Sequence, residues 1–445
     1  MLKPVHQLPT TNSAQNNQLI LFMKKYYRRS FVKQLFTGVA GTVVLSSFKG
    51  SHENNSFTFL KSNDNSEAFW EEVKAQFKFA PNLRYFNNGS LGSAPEMVRK
   101  ATNKFRDTLD SFPSKYMWGG WDIEKEEVRA KVANLFAVDA EEIALTHNTT
   151  EGMNLIARSF DLEAGDEVIL IDHEHTSSVI PWQVWQETKG VKLVRPKIPL
   201  LPKTVDEIVK VYEDAITPRT KVISMCHVIN TNGMILPVKE VSNMAKKHGI
   251  LVAVDGAQAP GMFRINLKEL GCDFYTASAH KWLFAPKGIC LFYAKKESQH
   301  HLKPLVVCKG HKNESIRRLE NYNTRNLPEL LGLGTAVDFQ NSIGNKKIAA
   351  RSYELKHYFR NKVKDNSKFK LKTPEHDDLS CAIQTLEVVG KNVQEVRNIL
   401  SQDYHIDTRP MSSFGLNGVR ISFAIFITKK DIDYLVEALE TIASS

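Results

Sequence analysis

Residues 251–281, LVAVDGAQAPGMFRINLKELGCDFYTASAHK, constrain the fold more than any other part of the chain. A short apolar run over 250–254 stops at Asp255-Gly256-Ala257-Gln258, and a second over 273–277 stops at Ser278-Ala279-His280-Lys281. Runs this short suit strands buried on both faces of a parallel sheet, and such sheets build ligand sites at the carboxyl ends of their strands. An aspartate and a lysine delivered to two strand ends suit pyridoxal phosphate. The lysine amine can condense with the aldehyde, and the carboxylate can keep the ring nitrogen protonated. Either residue alone reads as an ordinary strand-end turn, so the pairing carries the reading.

The surrounding chain keeps the same rhythm. Ile143-Ala144-Leu145-Thr146 passes through His147-Asn148 into Thr149-Thr150-Glu151-Gly152, a strand entering a helix. A threonine there can cap the first free amides, or the same amides and hydroxyls can hold a phosphate. The spacing predicts further strands at 167–171, 192–194 and 221–225, with helices at 204–216 and 238–248, the alternation of a wound α/β sheet. After the first of these comes Asp172-His173-Glu174-His175, a polar loop or a means of laying an imidazole over a planar ring. Asn230, after another, can shape a turn or donate to a phenolate oxygen. Upstream, helices are predicted at 66–77, 95–112 and 122–136, with an extended piece at 84–92 ending in a Gly-rich turn. Beyond the polar loop 318–326 and a helix over 327–342, residues 346–445 read as a smaller α+β unit, with strands at 380–385 and 418–424 and helices at 392–401 and 430–443. Arg420 stands inside the last strand. A guanidinium in an apolar strand needs a carboxylate, from the protein or from a substrate.

Length allows two domains with their own cores: 445 residues, 42% hydrophobic. The net charge of +10 is concentrated at the start, where residues 1–50 hold seven lysines and arginines and no acid. The remainder carries about +3, which asks for no nucleic-acid partner. Five widely spaced cysteines without a CxxC read as buried thiols, with neither disulfides nor a metal site indicated. Tyr27-Arg28-Arg29-Ser30-Phe31-Val32-Lys33 precedes a weakly apolar segment, 35–48, too short to span a bilayer in the ordinary way. That order has the form of a twin-arginine export signal and predicts a periplasmic destination, or a cytoplasmic one if the signal does not function. The expected organisation is a signal at 1–50, a polar leader at 51–67, a segment at 68–95 contributing to the small domain, a large domain at 96–335 and a small domain at 336–445.

On the residues of 255–281 and the strand ends around them, the chain resembles the class V aminotransferases among the fold type I pyridoxal-phosphate enzymes, over 80–445. The likeness is to the isopenicillin N epimerase-like and cysteine desulfurase-like branches. It implies a large domain with a mostly parallel, seven-stranded sheet and a smaller α+β C-terminal domain. By the resemblance, Lys281 would bear the cofactor and shuttle the substrate α-proton, Asp255 would pair with the ring nitrogen, and His175 would stack on the ring. Gln258 and Asn230 would approach the ring hydroxyl oxygen, and Thr149, Thr150, Ser278 and His280 would hold the phosphate. Thr324 would reach that phosphate from the neighbouring subunit of a homodimer. Arg420 would bind the substrate α-carboxylate, and Asn88, in Asn88-Gly89-Ser90, would sit at the substrate entrance.

Two departures matter. The desulfurase branch carries a nucleophilic cysteine on a loop shortly before the carboxylate-binding arginine, and here residues 404–414 hold no thiol. That argues against sulfur transfer through a persulfide. Asn323-Thr324-Arg325 also stands where relatives have Gly-Thr, and asparagine tolerates some of glycine's backbone states. Three outcomes stay open: epimerase or aminotransferase chemistry at the α-carbon of an amino acid or derivative, β-elimination by a carbon–sulfur lyase, or an exported binding protein that has lost catalysis. Retention of Lys281, Asp255, His175 and Arg420 argues against the last.

Overall fold

Thirteen short strands organise residues 64–445, the part of the chain that this computed structural model describes. The paired arginines and the apolar segment behind them lie outside the described residues. In chain order the strands are β1 (Arg84–Tyr85), β2 (Ile143–Thr146), β3 (Glu167–Ile169), β4 (Lys192–Val194), β5 (Thr220–Cys226), β6 (Leu251–Asp255) and β7 (Phe274–Ser278). They continue with β8 (Cys290–Ala294), β9 (Phe369–Leu371), β10 (Ile383–Val388), β11 (Ile406–Asp407), β12 (Arg409–Met411) and β13 (Gly418–Ser422).

Seven strands form one sheet in the order β2-β8-β7-β6-β5-β3-β4, with β8 antiparallel to both its neighbours and the rest parallel. This is the mostly parallel, seven-stranded sheet expected. Its strands read as unbroken apolar runs because alternate side chains feed two separate cores. Ile143, Ile169, Ile223, Val252, Val254 and Tyr275 enter one, and Ala144, Val168, Val222, Ala253 and Phe274 enter the other. Helices Thr149–Ala157 and Thr176–Lys189 contribute Met153, Ile156, Val179 and Trp182 to the second core, while Val238–Lys247 contributes Val241 and Ala245 to the first.

A second sheet, antiparallel, has the order β12-β13-β10-β9. Separately, β1 pairs in parallel with β11, joining residues 84–85 to 406–407. Most expected elements are present within a few residues. The strand expected at 380–385 begins instead at Ile383, because Ser380 bridges to Met234 and the Cys381 amide donates to Gly233 O at 3.0 Å. Gly233 sits at φ +76°, with Ile383 O only 2.0 Å from where a Cβ would stand, so the close approach requires glycine. Further elements were not anticipated, among them β8, β9, β11, β12, helix Asn345–Val363, and helix Thr176–Lys189, whose internal Pro181 reads in sequence as a breaker.

Candidate active site

The carboxyl ends of β5, β6 and β7 lie side by side, since the register sets Cys226 against Asp255 and Asp255 against Thr276. Asp255 is buried, its Oδ2 accepting from Ser178 Oγ at 2.6 Å and its Oδ1 from the Ala257 amide at 2.9 Å. Two fixed donors aim the carboxylate. Ser178 arrives from helix Thr176–Lys189 and has no signature in sequence.

Lys281 follows β7 by three residues. The Gly-rich turn of residues 87–92 packs on its backbone: Asn88 Nδ2 donates to Lys281 O at 3.4 Å, and a Cβ on Gly92 would stand 2.1 Å from that oxygen. The Lys281 amine makes no hydrogen bond or ion pair with the described residues. Burial pushes its pKa down to about 8, with Arg420 and Arg409 adding to the drop and Asp255 opposing it.

Across the cleft, helix Thr149–Ala157 starts against the end of β7. Asn148 caps it by accepting from the Glu151 amide at 2.9 Å. The Thr149 amide donates to Ser278 Oγ at 2.9 Å, and the Ser278 amide to Thr149 Oγ1 at 2.8 Å. These hydroxyls and the first amides of the helix make a ready anion cradle.

A cavity of about 340 Å³ opens onto this cluster, and Lys281, Asp255, His175, Asn230 and Gln258 line it together with Thr149, Thr150, Ser278 and His280. The His175 ring presents an exposed face, with its Nδ1 engaged by Ser177 (2.6 Å to Oγ, 3.2 Å from the amide). Burial holds its pKa down, against the pull of Asp255. Gln258 is fixed at both ends, Nε2 donating to Gly89 O at 2.7 Å and Oε1 accepting from Trp282 Nε1 at 2.9 Å. Thr150 and Asn230 are open to the cavity.

Arg420 stands behind Asn230 and Ser90. Nη1 donates to Asn230 O at 2.9 Å, and Nη2 to Ser90 Oγ at 2.6 Å and Asn87 Oδ1 at 3.1 Å, while Nε is buried without a partner. None of these partners is a carboxylate. Of the two sources expected for its counter-charge, the described residues supply no directly bonded carboxylate, Asp407 acting only at longer range. Burial first, then Arg409, push its pKa down to about 9.

Thr324 is exposed and lies outside the cavity. Asn323 has φ +59°, so the asparagine adopts the left-handed conformation that a glycine would supply. The Tyr322 hydroxyl donates to Glu151 and anchors this loop to the cradle helix.

Among the neighbours given no role of their own from sequence are Ser90, Ser177, Ser178, Arg409 and Glu174. Glu174 is buried, one oxygen accepting from the Cys226 amide at 2.9 Å and the other without a partner. Burial, reinforced by Asp255, pushes its pKa up to about 8. The Cys226 thiol, on the cavity wall, is driven well above its ordinary range by burial and by these two acids, so it stays protonated. Its position in the Asp-His-Glu-His run is the one sequence signal Glu174 had.

The residues present fit pyridoxal phosphate: an unpartnered, partly deprotonated amine, a carboxylate held by two donors, a free imidazole face and a hydroxyl–amide cradle share one cavity.

The family Aminotransferase class-V matches residues 93–435. An isopenicillin N epimerase of Streptomyces clavuligerus is 30% identical over 392 residues, covering 84% of this chain and 98% of the epimerase. A probable cysteine desulfurase of Halalkalibacterium halodurans is 30% identical over 345 residues, 72% of this chain and 82% of that protein. The crystal structure of a cysteine desulfurase from Escherichia coli superposes with a TM-score of 0.74 at 24% identity, covering 84% of this chain and 98% of the other. At that identity the superposition establishes the fold.

Proposed function

We propose that this chain, which belongs to the class-V aminotransferase family and is a pyridoxal-phosphate enzyme, removes and returns the α-proton of an amino acid or amino-acid derivative in epimerase- or aminotransferase-type chemistry. The observation that carries this reading is the Lys281 amine, unpartnered and lowered to about 8 beside the oriented carboxylate of Asp255. A lysine in that state is poised to act as a base near neutral pH. When bound, the cofactor supplies an electron sink for the charge left by proton loss. Asp255 would pair with the ring nitrogen, His175 would stack on the ring, and Thr149, Ser278 and the helix amides would hold the phosphate. Arg420 takes the α-carboxylate and so sets which face of the α-carbon Lys281 reaches.

Persulfide transfer is disfavoured by the absence of a thiol in 404–414 and by the protonated state of Cys226. The epimerase-type reading draws support from the relative matched over 98% of its length. Exposure of Thr324 supports a homodimer in which it reaches the neighbouring phosphate. The sequence at 27–33 supports export by the twin-arginine route.

The test is an absorption spectrum of the purified protein, followed by its response to L- and D-amino acids in deuterium oxide. A visible band that borohydride bleaches, absent in Lys281→Ala, is expected, together with deuterium entering the α-position. A Lys281→Ala protein with the same bleachable band would overturn the assignment.

A further inference from the structure

Arg409 is a charged group near this site that α-carbon chemistry does not employ. It leaves β12 directly opposite Arg420 of β13 in the antiparallel register, so both side chains stand on one face of the sheet. Ser90 ties them together: its Oγ accepts from Arg420 Nη2 at 2.6 Å and from Arg409 Nη1 at 3.4 Å, and Ser90 lines the cavity. The charge of Arg409 is felt at Lys281, at His175 and at Arg420, all of whose pKa values it lowers. The hydrogen-bond partners of the two guanidiniums are Asn230 O, Asn87 Oδ1 and Ser90 Oγ, with no carboxylate among them. Asp407, on the neighbouring strand, accepts from Asn87 Nδ2 at 3.1 Å instead.

Like charges directly opposite each other destabilise a sheet. Among the described residues no carboxylate hydrogen-bonds or ion-pairs with either arginine, and Asp407 acts on Arg420 only at longer range, so the pair is suited to anions on the ligand. The two also differ in depth: Arg420 is 1% exposed and has a buried, unpartnered Nε, whereas Arg409 is exposed and reaches the cavity-lining Ser90. The α-carboxylate is bonded to the carbon that must lie at Lys281, so it belongs with the deep arginine. An acid on the substrate's side chain, extending away from Lys281, would meet the outer arginine.

We propose that the substrate carries a second acid group on its side chain, with Arg420 taking the α-carboxylate and Arg409 the side-chain acid. This rests on the α-carbon reading above and narrows its substrate to dianionic amino acids. Titration of the holoenzyme with α-methyl amino acids, which have no α-proton to lose, reads binding without turnover. α-Methylaspartate and α-methylglutamate are compared with their side-chain amides, by spectral shift and by calorimetry. The acids should bind at least about tenfold more tightly than the amides, the value of one charge-assisted contact. Arg409→Gln should abolish that preference and leave the amides within about twofold of their original affinity, while Arg409→Lys should retain part of it. Equal weakening of acids and amides by Arg409→Gln would mean that both arginines share the α-carboxylate, and an unaltered preference would mean that Arg409 touches nothing; either overturns the proposal. A protein that takes up no cofactor would fail the α-carbon reading instead. Calorimetry on that cofactor-free protein still reads whether Arg409 confers an acid preference.

Discussion

Glu174 and Lys281 lie within one charged cluster and titrate in adjoining pH windows with opposite signs. Glu174, raised from an ordinary 4.5 to about 8, holds its proton in the folded protein where the unfolded chain has lost it. Its contribution is fully present below about 4.5 and is lost as pH rises through about 8. Lys281, lowered from 10.5 to about 8, behaves the other way: between those values the unfolded chain binds the extra proton, so stability rises with pH. Glu174→Gln keeps the oxygen that accepts from the Cys226 amide and removes the titration. Between about pH 5 and 8 the melting temperature of the cofactor-free parent should therefore fall relative to that of the variant, the histidines that titrate there being common to both. A constant difference between the two would show that Glu174 is ionised throughout. For Lys281 the matching expectation is an α-proton exchange rate that climbs through an apparent pKa near 8. Asp255→Asn should push that limb lower, because Asp255 is the group that raises it.

Helix Thr149–Ala157 owes its seat to the absence of a side chain. A Cβ on Gly152 would stand 1.9 Å from Thr276 Oγ1 and 2.6 Å from Thr276 Cβ, so the helix lies directly on β7. Gly152→Ala must lift the helix away and carry the Thr149 amide off Ser278 Oγ. Overpacking of this kind costs about 1–3 kcal/mol. The expected readout is a lower melting temperature together with loss of phosphate-dependent cofactor retention on dialysis. A variant that melts lower but holds its cofactor as firmly as the parent would show that the cradle does not depend on this contact. Elements of this sort explain what could be read in advance. β6 and β7 were legible because each is a short apolar run that stops at its chemistry, and the cradle because Thr-Thr-Glu-Gly marks a helix entry. Ser178 was not, since its bond to Asp255 joins residues 77 apart and lies on a helix that Pro181 disguises. The start of β10 was misplaced by three residues for a similar reason: Ser380 and Cys381 pair with the 233–234 turn, a partner that no local pattern announces.

Among the described residues, the hydrogen bonds that span the most sequence are made by charged side chains of the first helix, links that composition alone could not disclose. Helix Glu67–Ala75, at the start of the described chain, is tied to helices 284 and more residues away. Glu67 reaches Arg351 at 2.5 and 3.0 Å and the Lys429 amide at 3.4 Å, while Lys74 reaches Asp431 at 2.6 Å. The Arg351 side chain is 0% exposed, whereas that of Glu67 is 40% exposed. Trp70 and Phe69 pack beside this link, with Arg351 5.2 Å from the Trp70 ring. Removing one partner of a fully buried pair costs about 3–5 kcal/mol because a charge is left stranded. Here Glu354 remains within 2.9 Å of Arg351, and solvent already reaches Glu67, so Glu67→Ala should cost less, about 2 kcal/mol. Asp214→Ala, which breaks the exposed Lys210–Asp214 pair, should leave the unfolding midpoint close to that of the parent. Urea unfolding of the three proteins separates the cases. Equal midpoints for Glu67→Ala and Asp214→Ala would mean that Glu354 alone neutralises Arg351, leaving the first helix attached by its apolar face. A clearly lower midpoint for Glu67→Ala would show that the long-range ion pair fixes this helix, and through it the approach of the chain to β1 and the Gly-rich turn that packs on Lys281.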